Sequence, residues 1–252
     1  MELVCCKLRT FAKKINMRGV AYILAMLLAV GAYCSGGDSL SRRADRAFSA
    51  GEWASAQALY ALVTDAAPDN ADAHARMMTA ALMRGDSTAV PVAVERALAS
   101  GVALGALLDS LRADLRMVSG YNLYPVALEG IAADKPYLRR PITDRLLDYY
   151  SERRDGAMMV RCAQLLLAGL PDSPRYLDAL AWGKLYLGRR DEAEAAWRHA
   201  LSADPDNAQI IISLATLLGN TPESTALLHR ADSISPSPAI KARLKATQSS
   251  NH

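Results

Sequence analysis

Two stretches of the chain, one near each end, carry the same residue types at the same offsets. Gly51, Ala56, Tyr60, Val63 and Pro68-Asp69-Asn70 are spaced as Gly188, Ala193, Trp197, Ala200 and Pro205-Asp206-Asn207 are. Pro171 precedes Pro205 by thirty-four positions, and Pro236 follows Pro205 three positions short of that period. Pro68 precedes Pro171 by one position more than three such periods. A fixed period of this length means that one supersecondary unit recurs. Such a unit cannot bury its apolar face alone and must stack on its neighbours. An ordinary helical bundle with coincidental proline positions is the competing reading, and it has to explain several residue types agreeing at once.

Composition says what the unit is made of. Of 252 residues, 46 are Ala, against two Phe and three Trp. Ala and Leu head the helix-propensity ranking, so the recurring unit is helical. Ala193 and Ala200 lie seven apart, two turns along one helix face, where a second helix can come close. Trp197 sits between them and fills the remaining space. Gly188 permits the left-handed backbone that ends a preceding helix. Asp204-Pro205 stops the following one, because the residue before Pro is pushed out of the α region. An apolar fraction of 51% excludes disorder, and four Cys in this length exclude a disulfide scaffold.

On these residues the chain resembles the tetratricopeptide repeat family, whose unit is a pair of antiparallel helices about 34 residues long. The resemblance implies an all-α solenoid of stacked helix pairs wound into a right-handed superhelix. The best copy, 174–207, has Leu177, Leu180 and Ala181 at the first-helix packing positions and Gly188 at the turn. Ala193, Trp197 and Ala200 follow on the second helix, with Pro205 at the exit and Lys184 where the family usually has an aromatic residue. A copy at 37–70 has Ala44, Gly51, Ala56, Tyr60, Val63 and Pro68, with Arg43 in place of the usual Leu. A copy at 71–104 keeps Met78, Gly85, Val94 and Ala97 but lacks the closing Pro. One repeat block is expected over 41–101 and a second over 141–236, with a capping helix and frayed tail at 237–252. Between them, 102–140 reads as a degenerate repeat or a connector: a helix near 104–118 is followed by repeated Gly and Pro. Pro141 is expected to open the next helix, running to about Arg153.

The first forty residues read as an address. Lys7, Arg9, Lys13, Lys14 and Arg18 precede an uncharged run from Gly19 to Gly37, a basic–apolar–small pattern typical of a signal peptide over 1–33. The Met17-Arg18-Gly19 start would itself serve, so Met1 and Met17 both stand as possible starts. The stretch Gly31-Ala32-Tyr33-Cys34 resembles a bacterial lipoprotein signal, in which the Cys is lipidated and 34–40 would act as a tether. Gly31 and Tyr33 depart from that pattern. A soluble periplasmic protein and a permanent N-terminal anchor are the alternatives, since nineteen uncharged residues just reach bilayer-spanning length. Without 1–33 the chain has 24 basic and 25 acidic residues, near −1 rather than +3. That is no basis for nucleic-acid binding.

No phosphate loop, nucleophile turn or paired-carboxylate motif occurs, and the four His are scattered without ligand spacing. No catalytic residue, metal or cofactor is expected. Cys162, among Met158, Met159, Leu165 and Leu166, reads as a small buried hydrophobe. The doublets Arg139-Arg140, Arg153-Arg154 and Arg189-Arg190 lie at expected helix boundaries and read as solvated ends. The family resemblance implies a non-catalytic scaffold whose first helices line a concave groove for a protein or peptide, with self-association also allowed. Carried onto the best copy, it places Arg175, Asp178, Trp182, Leu185 and Tyr186 at that groove. Trp182 and Tyr186, one turn apart, would form an aromatic anchor, or else pack under a neighbouring repeat. The alternative is an accessory subunit of an envelope enzyme or carbohydrate-handling complex acting through 102–140, with Tyr121, Tyr124 and Tyr137.

Overall fold

The computed structural model describes residues 40–249, so the segments read as signal, lipidated Cys34 and most of the tether lie outside the described residues. The described chain is all-α. In order, the helices are α1 (40–49), α2 (Trp53–Ala66), α3 (Ala71–Met83), α4 (Ala89–Ala99), α5 (Leu104–Met117) and α6 (Tyr124–Asp134). They continue with α7 (Arg139–Arg153), α8 (Gly156–Leu167), α9 (Pro174–Tyr186), α10 (Arg190–Ala203), α11 (Ala208–Leu218), α12 (Pro222–Ile234) and α13 (Pro238–Ser249). Short 3₁₀ turns at Tyr121–Leu123 and Pro136–Leu138 lead into α6 and α7. Among the described residues no helix is long and apolar enough to cross a membrane.

The helices pair, and the pairs share one turn. Gly51, Gly85, Ser119, Arg154, Gly188 and Gly219 all have positive φ, between 54° and 81°. Each follows the last after thirty-four or thirty-five positions, except Gly219, which comes three early. At the first five, the next residue's N–H closes a bond to the carbonyl five positions back. These are Glu52→Ala47, Asp86→Ala81, Gly120→Leu115, Asp155→Tyr150 and Arg189→Lys184, at 2.8–3.0 Å. The bond satisfies carbonyls the ending helix leaves open. Segment 102–140 therefore holds a helix, a left-handed turn at Ser119 and a second helix.

Pair exits also repeat. Ala67, Asp204 and Ser235, each before a proline, sit at φ −135 to −140° and ψ 80–85°. Behind two of them, Asn70 and Asn207 cap the next helix by accepting from the N–H of Ala73 (3.0 Å) and Ile210 (3.2 Å). The Pro-Asp-Asn motif thus ends one pair and starts the next. Pro141 does not open its helix as expected. Helix α7 begins at Arg139, and Pro141 occupies its first turn, where its missing N–H is not needed.

The chain packs as two compact units, divided between Ala127 and Leu128 inside α6. In the first, α3 packs on α2, α4 and α5. Its core includes Ala44, Ala56, Tyr60, Val63, Ala73 and Ala80, with Phe48 edge-on to Tyr60. In the second, each helix from α7 to α13 packs on the next. Leu177, Ala181, Ala193, Trp197, Ala200, Ile210 and Leu214 form one buried cluster there. Ile211, Leu228, Ala231, Ile240 and Leu244 form another beneath α13, which covers the end of this unit as a cap.

Candidate functional site

Helix α9 carries the residues that the family resemblance places at the groove, and its faces divide them. Pro174 starts the helix at a position where a missing N–H costs nothing. Arg175, exposed, reaches back to α7 and pairs with Asp144 (2.9 Å) and Asp148 (2.8 Å). Asp178 turns inward instead, accepting a 2.7 Å bond from the indole N–H of the fully buried Trp197. Burial raises its carboxyl pKa, against hydrogen bonds from Trp197 and Trp182 that lower it. Trp182 is half-buried, edge-on to Trp197 at 5.3 Å and tilted against Tyr186 at 5.9 Å. Leu185 packs against the same cluster. Tyr186 remains 40% exposed, so the aromatic row runs from the core outward to solvent.

The packing positions are equally concrete. Ala56, Tyr60, Leu177, Ala181, Ala193, Trp197 and Ala200 are buried, and Leu180 packs partly buried against the Trp197 cluster. Gly188 holds the turn at φ 76° and Pro205 is exposed at the exit, its carbonyl accepting from Arg230 at 2.7 Å. Of the basic doublets, Arg190 donates to the carbonyl of Leu217 on α11, while Arg139 and Arg140 are exposed. Tyr124 is buried with Tyr121 stacked on it at 5.8 Å, and Tyr137 is 69% exposed. Cys162 is buried, and burial pushes its thiol up to about 11, which suits packing rather than reactivity.

Sequence reasoning missed a polar cluster in the first unit. Asp45 on α1 accepts from Tyr60 (2.6 Å) and pairs with Arg76 (2.5 Å). Arg76 lies 3.8 Å from Asp114 on α5. Burial pushes Asp114 up to about 6, with Arg76 opposing and Asp72 reinforcing. It also missed a close approach of α8 and α9. A Cβ on Gly156 would lie 2.7 Å from the carbonyl oxygen of Gly183, and one on Gly183 would lie 3.0 Å from Val160 Cγ2. Two isolated glycines on different helices carry no periodic signal. Among the described residues no group of side chains could hold a metal.

No family model and no curated protein sequence matches the chain. Solved structures resemble it in helical arrangement only. The C-terminal part of a TPR repeat-containing protein from Cytophaga hutchinsonii shares 11% identity over 77% of this chain and 78% of that one, with a TM-score of 0.46. A tetratricopeptide repeat protein from Parabacteroides merdae shares 13% over 85% of this chain and 99% of that one, at 0.41. The chain is thus similar to tetratricopeptide repeat structures at low identity, and its own period, turns and paired helices establish the stacked-pair fold.

Proposed function

We propose that the protein is a non-catalytic scaffold of the bacterial cell envelope that holds a partner protein or peptide on α9 and its neighbouring first helices. The aromatic row carries this reading: Trp182 rests on the buried Trp197 while Tyr186 reaches solvent. A rigid aromatic anchor on a fixed floor contributes contact area at small entropic cost. Arg175 is already paired within the chain, to Asp144 and Asp148, and so ties α9 to α7 rather than offering a free charge. Replacing Tyr186 and Trp182 with Ala and repeating an affinity capture from envelope extract is the test. Loss of a specific partner from a variant that still melts cooperatively supports the reading; an unchanged set of partners overturns it.

The address is proposed from the sequence: export by the basic and apolar N-terminal run, and lipidation at Cys34. Acyl chains contribute about 0.8 kcal/mol per buried methylene, so a multiply acylated Cys would hold the scaffold at a membrane. Radiolabelled fatty acid should mark the parent and not a Cys34→Ala variant. Equal labelling of both removes lipidation at that residue.

A further inference from the structure

In each unit the groove between two successive second helices opens into a cavity. In the first unit α2, α3 and α4 enclose about 360 Å³, lined by Met77, Met78, the 67% exposed Val92 and Arg96. In the second, α6, α7 and α8 enclose about 360 Å³ at the corresponding place. Its floor is apolar, from Leu146, Met158 and Cys162, and Leu165 stands 58% exposed at its edge. The two differ in their cations. Arg96 is held by an ion pair to Asp65 of α2, inside the chain. Arg139 and Arg161, which line the second cavity from α7 and α8, have no such partner among the described residues. Glu129 is the one acid in that lining.

We propose that the α6–α7–α8 groove is a docking site for an acidic amphipathic segment of a partner protein, with an apolar side chain in the cavity and carboxylates on Arg139 and Arg161. A cavity of this volume takes a bulky apolar side chain, and the exposed Leu165 gains cover when it is filled. The two guanidiniums decide the sign of the occupant. An apolar or cationic segment would desolvate them without return, whereas carboxylates form charge-assisted, bidentate bonds. In the first unit Asp65 already supplies that carboxylate, so the same cavity there does not need one from outside.

Neither Trp182 nor Tyr186 lines this site, so the two sites are tested separately. A fluorescein-labelled helical peptide with Leu at every third and fourth position and Glu elsewhere is titrated by anisotropy, beside its Lys-for-Glu counterpart. The Glu peptide should bind the full chain, and Arg139→Glu with Arg161→Glu should weaken it by about tenfold or more. Rising salt should also weaken it, while the Lys peptide stays unbound and Trp182→Ala with Tyr186→Ala leaves the affinity unchanged. Both arginines are exposed, so the variant should keep the parent's helicity. No binding, equal binding of both peptides, or an affinity indifferent to the two charge reversals would each overturn the proposal.

Discussion

Trp197 shows what single residues do in this chain and how far sequence reveals it. Its place between Ala193 and Ala200 follows from spacing alone, and all three are fully buried. Trp197→Ala should cost about 3–5 kcal/mol and Ala200→Leu about 1–3 kcal/mol, read from denaturant melts. Parent-like melting of both would contradict the register. Its bond to Asp178 was not legible, because a contact between helices leaves no trace in a helical period. Asp178 therefore reads as a groove residue in sequence and serves the core in the structure. Asp114 was hidden for the same reason. Its pKa, raised to about 6 from 3.8, means that the folded chain binds its proton more tightly than the unfolded chain. Its contribution therefore destabilises as pH rises from about 4 to about 6 and is constant above. Asp114→Asn should remove that slope and gain on the order of 3 kcal/mol near pH 7, a net figure in which the opposing cation of Arg76 is already included. A parent–variant difference that does not change with pH would refute it.

Elements carry the period more faithfully than residue types do. The sequence shows the turn where it uses Gly51, Gly85 and Gly188, and loses it where Ser119 and Arg154 stand at the same spacing. Those two adopt φ 59° and 54°, held by the same bond to the carbonyl five positions back. The middle of the chain thus reads as a degenerate repeat or connector in sequence, although its backbone keeps step. A left-handed residue other than Gly costs roughly 1–2 kcal/mol, partly offset by the unfolded freedom that Gly adds. Arg154→Gly should therefore stabilise by about 0.5–1 kcal/mol, and Gly188→Ala should destabilise by about 1 kcal/mol in the same assay. Opposite signs would mean that the turns are not equivalent. At the α8–α9 crossing the constraint is space rather than φ. Gly156→Ala forces a methyl group against the Gly183 carbonyl, and a loss of about 1–3 kcal/mol in thermal melts is expected.

For the molecule as a whole, composition settled less than period. The nominal +3 comes largely from 1–33, and the remaining chain is nearly neutral, which suits protein contacts better than polyanions. Fold class was legible because stacked pairs impose a fixed interval on Gly, small residues and Pro. The proposed binding surface is not legible in the period, since a groove is made by side chains from several helices whose mutual approach the sequence does not state. On the proposed reading, α9 holds a partner protein through its outward aromatic end. The direct measurement places a photo-crosslinking residue at Tyr186, and as a control at Leu62, which is 53% exposed on α2. The full chain is then irradiated in its native membranes. A discrete adduct from position 186 that is absent from position 62 is the predicted result. No adduct at 186, or the same adducts at both positions, would contradict it.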